Sequence, residues 1–366
     1  MPDLTDEDKL RLNVLLAQPL QAIRIDESRM ELHALSEKGE AKVVLHANCR
    51  DEKYLKTVRQ WLSTHVLGSP GGYPVFMRRW TRMGQGVGEA REDSLEKLLL
   101  LGEPEAVVAV VHANGVTNEI ARRAWWCEPN AENARCLLKN QDVVTGSMGP
   151  ELAMFLVEYL PFEESSRAMI NSVRLVLQES LINASTKQDI WNRGKRKNTF
   201  YVGFLQQSAD DLPHTCNPHP EHETFTQINK EITFAEQLQR VTSPQGQAAI
   251  ETFKTVLKKP NDQDVAVEIF NTLGKYFRSN INYPGNWRDI NELSNYTRDA
   301  VSTDGKPMID DRPESEPYIY AIIFLSMISE TLLDPIFGVT DSIGSVMRKR
   351  ILHVSEPILK QLSVLS

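Results

Sequence analysis

Apolar positions within Leu10–Ala17 follow Thr5-Asp6-Glu7-Asp8, a hydroxyl and then three acids. A hydroxyl caps free N–H groups and acids suit the positive end of the dipole, so a helix is predicted here, stopping before Pro19. Three short runs come next: Gln21–Ile25, Met30–Leu35 and Lys42–His46. Ile23/Ile25 and Met30/Leu32/Ala34 alternate with polar residues, which buries one face of a strand and wets the other. Asp26-Glu27-Ser28 and Glu37-Lys38-Gly39-Glu40 supply turns, so the simplest arrangement is a three-stranded meander. In Asp51–Val66, Tyr54, Val58, Trp61, Leu62 and His65 recur at helical spacing. Ser69-Pro70-Gly71-Gly72-Tyr73-Pro74 is a turn or loop that leads into the mixed apolar and basic run Val75–Arg82.

Beyond the loop around Gly84–Glu92 the pattern changes. Helical periodicity recurs in Ser94–Leu101, Glu103–Ala113, Thr117–Trp126, Asn130–Leu138, Pro150–Leu160 and Glu163–Ile182. Gly102, Asn114-Gly115, Pro129, Gly146–Pro150 and Pro161 separate them. Helices this short must bury their apolar faces on neighbours, which predicts an irregular stack of helical hairpins. Longer helices are expected over Thr224–Val241, Gln245–Lys258, Asp262–Arg278, Asn286–Ser302 and Glu316–Leu333, with Thr303–Pro313 a charged loop. A final pair spans Thr340–Val354 and Glu356–Val364. The predicted fold class is therefore mostly α. An α+β N-terminal module covers 1–92, the helical-hairpin stack 93–209, a polar Pro/His linker 210–223, and a C-terminal helical bundle 224–366.

Tyr318–Leu333, YIYAIIFLSMISETLL, is apolar all round, as a central core helix is. It falls short of the ~20 residues needed to span a bilayer and contains Glu330, so no membrane span is expected. The length of 366 residues exceeds what one core usually covers, and a quarter of the residues are charged, as in ordinary globular proteins. A net charge of −8 argues against indiscriminate binding to nucleic acid or membrane surfaces. Cys49, Cys127, Cys136 and Cys216 are scattered without a CxxC pair, and the acidic start MPDLTDEDKLRL does not resemble a signal peptide. A cytoplasmic location is expected.

Four groups of residues invite chemistry. His214, Cys216, His219 and His222 offer a thiolate and imidazoles, a sensible set for zinc. Their order matches no standard zinc finger, and a proline-rich solvent loop that carries histidines is the alternative. Arg78, Arg79, Trp80 and Arg82 form one basic run, and Arg193, Lys195, Arg196 and Lys197 another. Cations that neutralise phosphates, with an aromatic for base stacking, are how single-stranded RNA is held; the alternative is a pair of solvated faces. Gly84-Gln85-Gly86-Val87-Gly88 has the wrong spacing for a dinucleotide loop and reads as a connector. Cys127 and Cys136 lie on adjacent predicted helices, as a redox pair or as buried small hydrophobes. No nucleophile elbow, papain-like context or H-E-x-x-H occurs, so no catalytic residue is assigned and the chain leans away from being an enzyme.

Longer runs carry a resemblance. HVLGSPGGYPVFMRRWTRMGQ (65–85), LLLLGEPEAVVAVVHANGVTNEIARRAWW (98–126) and NARCLL (133–138) resemble the DsrS proteins. So do LPFEE (160–164), SVRLVLQ (172–178) and RGKRKNTFYVGFL (193–205). The likeness covers residues 1–212; in the C-terminal third it rests on helical texture and on segments such as LLDPIFGVTDSIGSVMRK (332–349). DsrS proteins accompany dissimilatory sulfite reductase in sulfur-oxidising bacteria. The resemblance implies a cytoplasmic accessory or regulatory protein of sulfur oxidation, partnered by proteins of that system. The family defines no functional motif, so no site residue is carried over. Siroheme and iron–sulfur centres need clustered cysteines, a spacing this chain lacks.

Overall fold

The computed structural model describes residues 4–72, 92–229, 232–338 and 343–366. The fold is mostly helical with one three-stranded sheet among the described residues, and it divides into two compact units, Met1–Tyr159 and Leu160–Ser366.

The first unit opens with helix Asp6–Leu16, where the Thr5 hydroxyl accepts from the Asp8 N–H as the sequence predicts. The meander follows as β1 (Leu20–Asp26), β2 (Glu31–Ser36) and β3 (Gly39–Val44), antiparallel and in that order. Ile23 pairs with Ala34 and Ile25 with Leu32; Ile23, Leu32 and Ala34 are buried and Ile25 partly so. Ala22 and Leu35 on the opposite face are buried too, so the expected wet face is covered there. β3 begins three residues earlier than expected. Ser36 pairs with Gly39 across only Glu37-Lys38, and such a tight hairpin resumes pairing immediately after the turn. Gly39 has φ 121°, a backbone state open to glycine.

β1 is an edge strand, and edges need cover. The Ile23 N–H donates to the Leu99 carbonyl at 2.8 Å, and helix Asn118–Cys127 packs on the same strand. Its Arg122 donates to the Gln21 side chain at 2.7 Å, while the Arg24 guanidinium lies 4.5 Å from the Trp126 ring centre. Asp8 is fully buried and accepts from the Tyr54 hydroxyl and, at 2.8 Å, from the His46 N–H. This clasp ties the first helix to helix Asp51–Leu67 and to the segment after β3.

The predicted ladder then appears as Glu92–Leu98, Pro104–Val111, Asn118–Cys127, Ala131–Leu137 and Met148–Tyr159, with a short helix, Gln141–Thr145, that the sequence pattern does not predict. Thr117 and Asn130 cap two of these helices with their side chains. Met148–Tyr159 starts ahead of Pro150, which is tolerated in a first turn because its missing N–H would have no partner there.

In the second unit, helices Ser166–Val176 and Thr199–Ser208 approach closely at Gly203, where a Cβ would sit 2.6 Å from Val173. The helix predicted to reach Ile182 ends at Val176, and Glu179 and Ser180 take positive φ. The stretch predicted as one helix over Thr224–Val241 holds two, His222–Thr226 and Ala235–Thr242, with Phe234 at φ 71° before the second. The final pair merges into one helix, Gly344–Val364, that runs through Pro357. A mid-helix proline costs about 3 kcal/mol. Here Val354, Ile358 and Leu362 are buried on both sides of it, and their packing offsets that cost.

Helix Glu316–Ser326 packs against Gln263–Phe277, Ile290–Thr303 and Gly344–Val364. Neighbours on several sides explain why it is apolar all round: Ile319, Ala321, Ile322, Ile323, Phe324 and Leu325 are all buried. Among the described residues, no helix is long and apolar enough to cross a membrane.

Candidate metal centre

Residues 210–221 form no regular element, yet the segment is held to its unit at several points. Leu212 is buried, and the His219 N–H donates to the Thr242 carbonyl at 2.9 Å. Helix Pro244–Lys258 lies beside it, capped by the Ser243 hydroxyl and started by Pro244. Ala248, Ala249, Ile250, Thr252, Phe253, Val256 and Leu257 are buried, which leaves Glu251, Lys254, Thr255 and Lys258 along the opposite stripe. The Gln247 amide donates to the carbonyls of Val241 and Leu365, fixing the helix in place.

His214 and Cys216 meet that stripe at Glu251. Cys216 Sγ lies 3.0 Å from Glu251 Oε2 and 3.4 Å from His214 Nε2, and His214 Nε2 lies 3.1 Å from the same carboxylate oxygen. Burial, with the hydrogen bond to Glu251, pushes the Cys216 thiol up to about 11. The Glu251 carboxyl is held below its ordinary range by the bonds from Cys216 and His214. A cavity of about 400 Å³ adjoins the cluster, lined by Cys216, Glu251, Lys254, Lys258 and Ser366 among others. Burial and the neighbouring Lys258 depress the Lys254 ammonium.

The other two residues of the sequence set have different partners. The His222 ring bonds the Thr242 hydroxyl at 2.9 Å. His219 Nδ1 accepts from the Glu221 N–H, and its ring stands edge-on to Tyr318 at 5.6 Å. Burial lowers its pKa. The structure thus joins His214 and Cys216 to a carboxylate that the sequence did not single out. The only available signal was a helix stripe whose phase relative to the loop is set by folding.

A second group of the same types, His112, Glu132 and Cys136, lies in the first unit. Cys136 Sγ is 3.2 Å from His112 Nε2, and His112 Nδ1 donates to the Val108 carbonyl at 2.8 Å. That bond leaves the Nε2 lone pair toward the sulfur. Cys136 is buried, which raises its pKa. Cys127 does not pair with it: all four cysteines are free, and the Cys127 thiol donates to the Ile23 carbonyl at 3.6 Å.

Of the basic runs, Arg78, Arg79, Trp80 and Arg82 lie outside the described residues, as does the Gly84–Gly88 loop. Arg193, Lys195 and Arg196 are exposed at the end of helix Ala184–Arg193, with Lys197 half-buried beside them. None of the four has a carboxylate partner among the described residues. Arg193, Arg196 and Lys197 border a cavity of about 650 Å³ together with Phe200 and one acid, Asp189. A further cavity, of about 750 Å³, has its charge partly neutralised from within. There Arg240 is bidentate to Asp210 and stacks 4.0 Å from the Tyr276 ring centre.

No family model, no curated protein and no solved structure matches this chain.

Proposed function

We propose that this chain is a cytoplasmic, non-enzymatic accessory or regulatory protein of dissimilatory sulfur oxidation, acting through contacts with proteins of the sulfite reductase system. The observation that carries the proposal is the set of sequence runs resembling DsrS proteins, from His65–Gln85 to Arg193–Leu205. A contact role is supported by exposed apolar side chains: Leu10 and Val14, one helical turn apart on the first helix, are 67% and 59% exposed. The test is a tagged pull-down from sulfur-oxidising cells, with and without ribonuclease, identifying both protein and RNA. Capture of sulfite reductase or its sulfur-transfer partners that survives ribonuclease supports the proposal. A deletion strain with normal sulfur oxidation and normal levels of that system would overturn it.

A second reading, RNA binding in post-transcriptional regulation, is favoured by Arg193, Arg196 and Lys197 around the Phe200 cavity and Lys195 beside them, none with a carboxylate partner among the described residues. Its test is a gel shift at low salt with cytoplasmic RNA. A shift that weakens with salt and disappears when Lys195 and Arg196 become alanine supports it, and no shift at low salt sinks it.

A further inference from the structure

The geometry points to a zinc site built from His214 Nε2, Cys216 Sγ and Glu251 Oε2, with a fourth position open to water or an added ligand. Zinc binds thiolate sulfur at about 2.3 Å and imidazole nitrogen or carboxylate oxygen at about 2.0 Å, in tetrahedral array. Those bond lengths place donor atoms roughly 3.3–3.6 Å apart along each edge of the tetrahedron. The three separations here are 3.4 Å for sulfur to nitrogen, 3.1 Å for nitrogen to oxygen and 3.0 Å for sulfur to oxygen. They already outline one face of such a tetrahedron, slightly contracted, and small outward movements of the exposed His214 and Glu251 side chains and of half-buried Cys216 would seat an ion.

The donors come from two kinds of support. Glu251 stands on a capped and packed helix, while His214 and Cys216 stand on a segment tied down on either side at Leu212 and His219. Thiolate with imidazole and carboxylate suits zinc, and the thiol proton leaves as the ion enters. Two anionic ligands balance the charge of the dication. Three protein ligands leave one of four positions free, as in sites where zinc holds a water or substrate. The adjoining cavity carries Lys254 and Lys258, so an anion is the ligand class best matched to that position.

The experiment uses the full chain with any histidine tag removed and with Cys136→Ser as background, which disables the other His–Cys–Glu group. The protein is incubated with zinc, dialysed, and assayed for bound metal. Cobalt(II) is then titrated in place of zinc to read coordination from its absorption. One zinc per chain is expected, with a sulfur-to-cobalt charge-transfer band and the intense visible bands of a four-coordinate ion. Cys216→Ser should remove the charge-transfer band, and Glu251→Gln and His214→Asn should each abolish stoichiometric binding. His219→Asn and His222→Asn should leave both readouts unchanged. Circular dichroism checks that each variant stays folded. A wild-type-loop protein that retains no zinc overturns the proposal. So does binding indifferent to Glu251→Gln but lost with His219→Asn or His222→Asn, which would place the ion wholly within the loop.

Discussion

Cys216 places its thiol 3.0 Å from the Glu251 carboxylate across 35 positions of sequence, and this contact ties an irregular segment to a helix. The same carboxylate oxygen receives His214, so two loop side chains converge on one helical acid. Replacing Glu251 with alanine should therefore loosen the 210–221 segment without touching its hydrophobic anchor at Leu212. Limited proteolysis should then cut this segment first, and a cutting pattern identical to wild type would show that other contacts hold it.

Burial pushes the Cys127 thiol up to about 12, against the pull of the neighbouring Arg24. Since only the thiolate reacts, Cys127 should alkylate with iodoacetamide at pH 8 on the order of a hundredfold more slowly in the folded protein than in urea. Peptide mass spectrometry over time measures this. Equal rates would mean that the helix end at Cys127 opens readily from β1.

Glu119 bonds both Arg122 and Arg123, and chiefly through Arg122 its carboxyl is held down to about 2 from an ordinary value of 4.5. A depressed carboxyl contributes stability that is complete above about 4.5 and is lost as pH falls toward about 2. Glu119→Gln should thus be less stable than wild type at pH 7, with the gap closing across that acid window. Urea melts at several pH values test this, and a constant gap would assign the loss to packing instead.

Asp8 is buried, a position that by itself raises a carboxyl, but the bonds from Tyr54, His46 and Thr5 win and keep it below its ordinary range. Asp8→Asn removes a charged acceptor from the Tyr54 hydroxyl and the His46 N–H, so a loss of about 1–3 kcal/mol is expected. Chemical denaturation gives the value directly. A change of only a few tenths would show that water takes over these donors.

Gly274 faces the backbone at Ile328 so closely that an added Cβ would collide with its carbonyl. Backbone cannot swing aside as a side chain can, so Gly274→Ala should cost about 1–3 kcal/mol. Ile322→Ala, in the helix that packs against the same element, should cost about 2–5 kcal/mol by leaving a cavity. The two substitutions should lower the denaturation midpoint without changing its slope. A tolerated Gly274→Ala would mean that the two segments can separate slightly at no penalty.

Much of the fold was legible because its signals are local. Thr5, Thr117 and Asn130 cap the helices they precede, and the alternation names Ile23, Leu32 and Ala34 among the buried sheet residues, though not Ala22 and Leu35 on the opposite face. The misplaced boundaries share a cause in tertiary contact or backbone state. Pro357 signals a break, yet Val354, Ile358 and Leu362 hold the helix together across it. Periodicity runs on past Phe234 and Glu179, whose positive φ values turn the chain where no glycine announces it. Of the candidate metal ligands, His214 and Cys216 could be named because they are rare types close together; Glu251 could not, being one of many acids on a helix stripe.

The amino-acid order by itself determined where apolar faces lie, where helices can start, and that the apolar run Tyr318–Leu333 must be enclosed, although its helix ends at Ser326 and not at Leu333. Such properties follow from residue spacing and from the cost of exposing apolar surface. Only the tertiary structure decided which carboxylate meets the His214–Cys216 pair and that Cys136 faces His112 instead of Cys127. These are contacts between distant segments. Their partners depend on the rotation and offset with which packed helices come to rest, and local sequence does not encode those quantities.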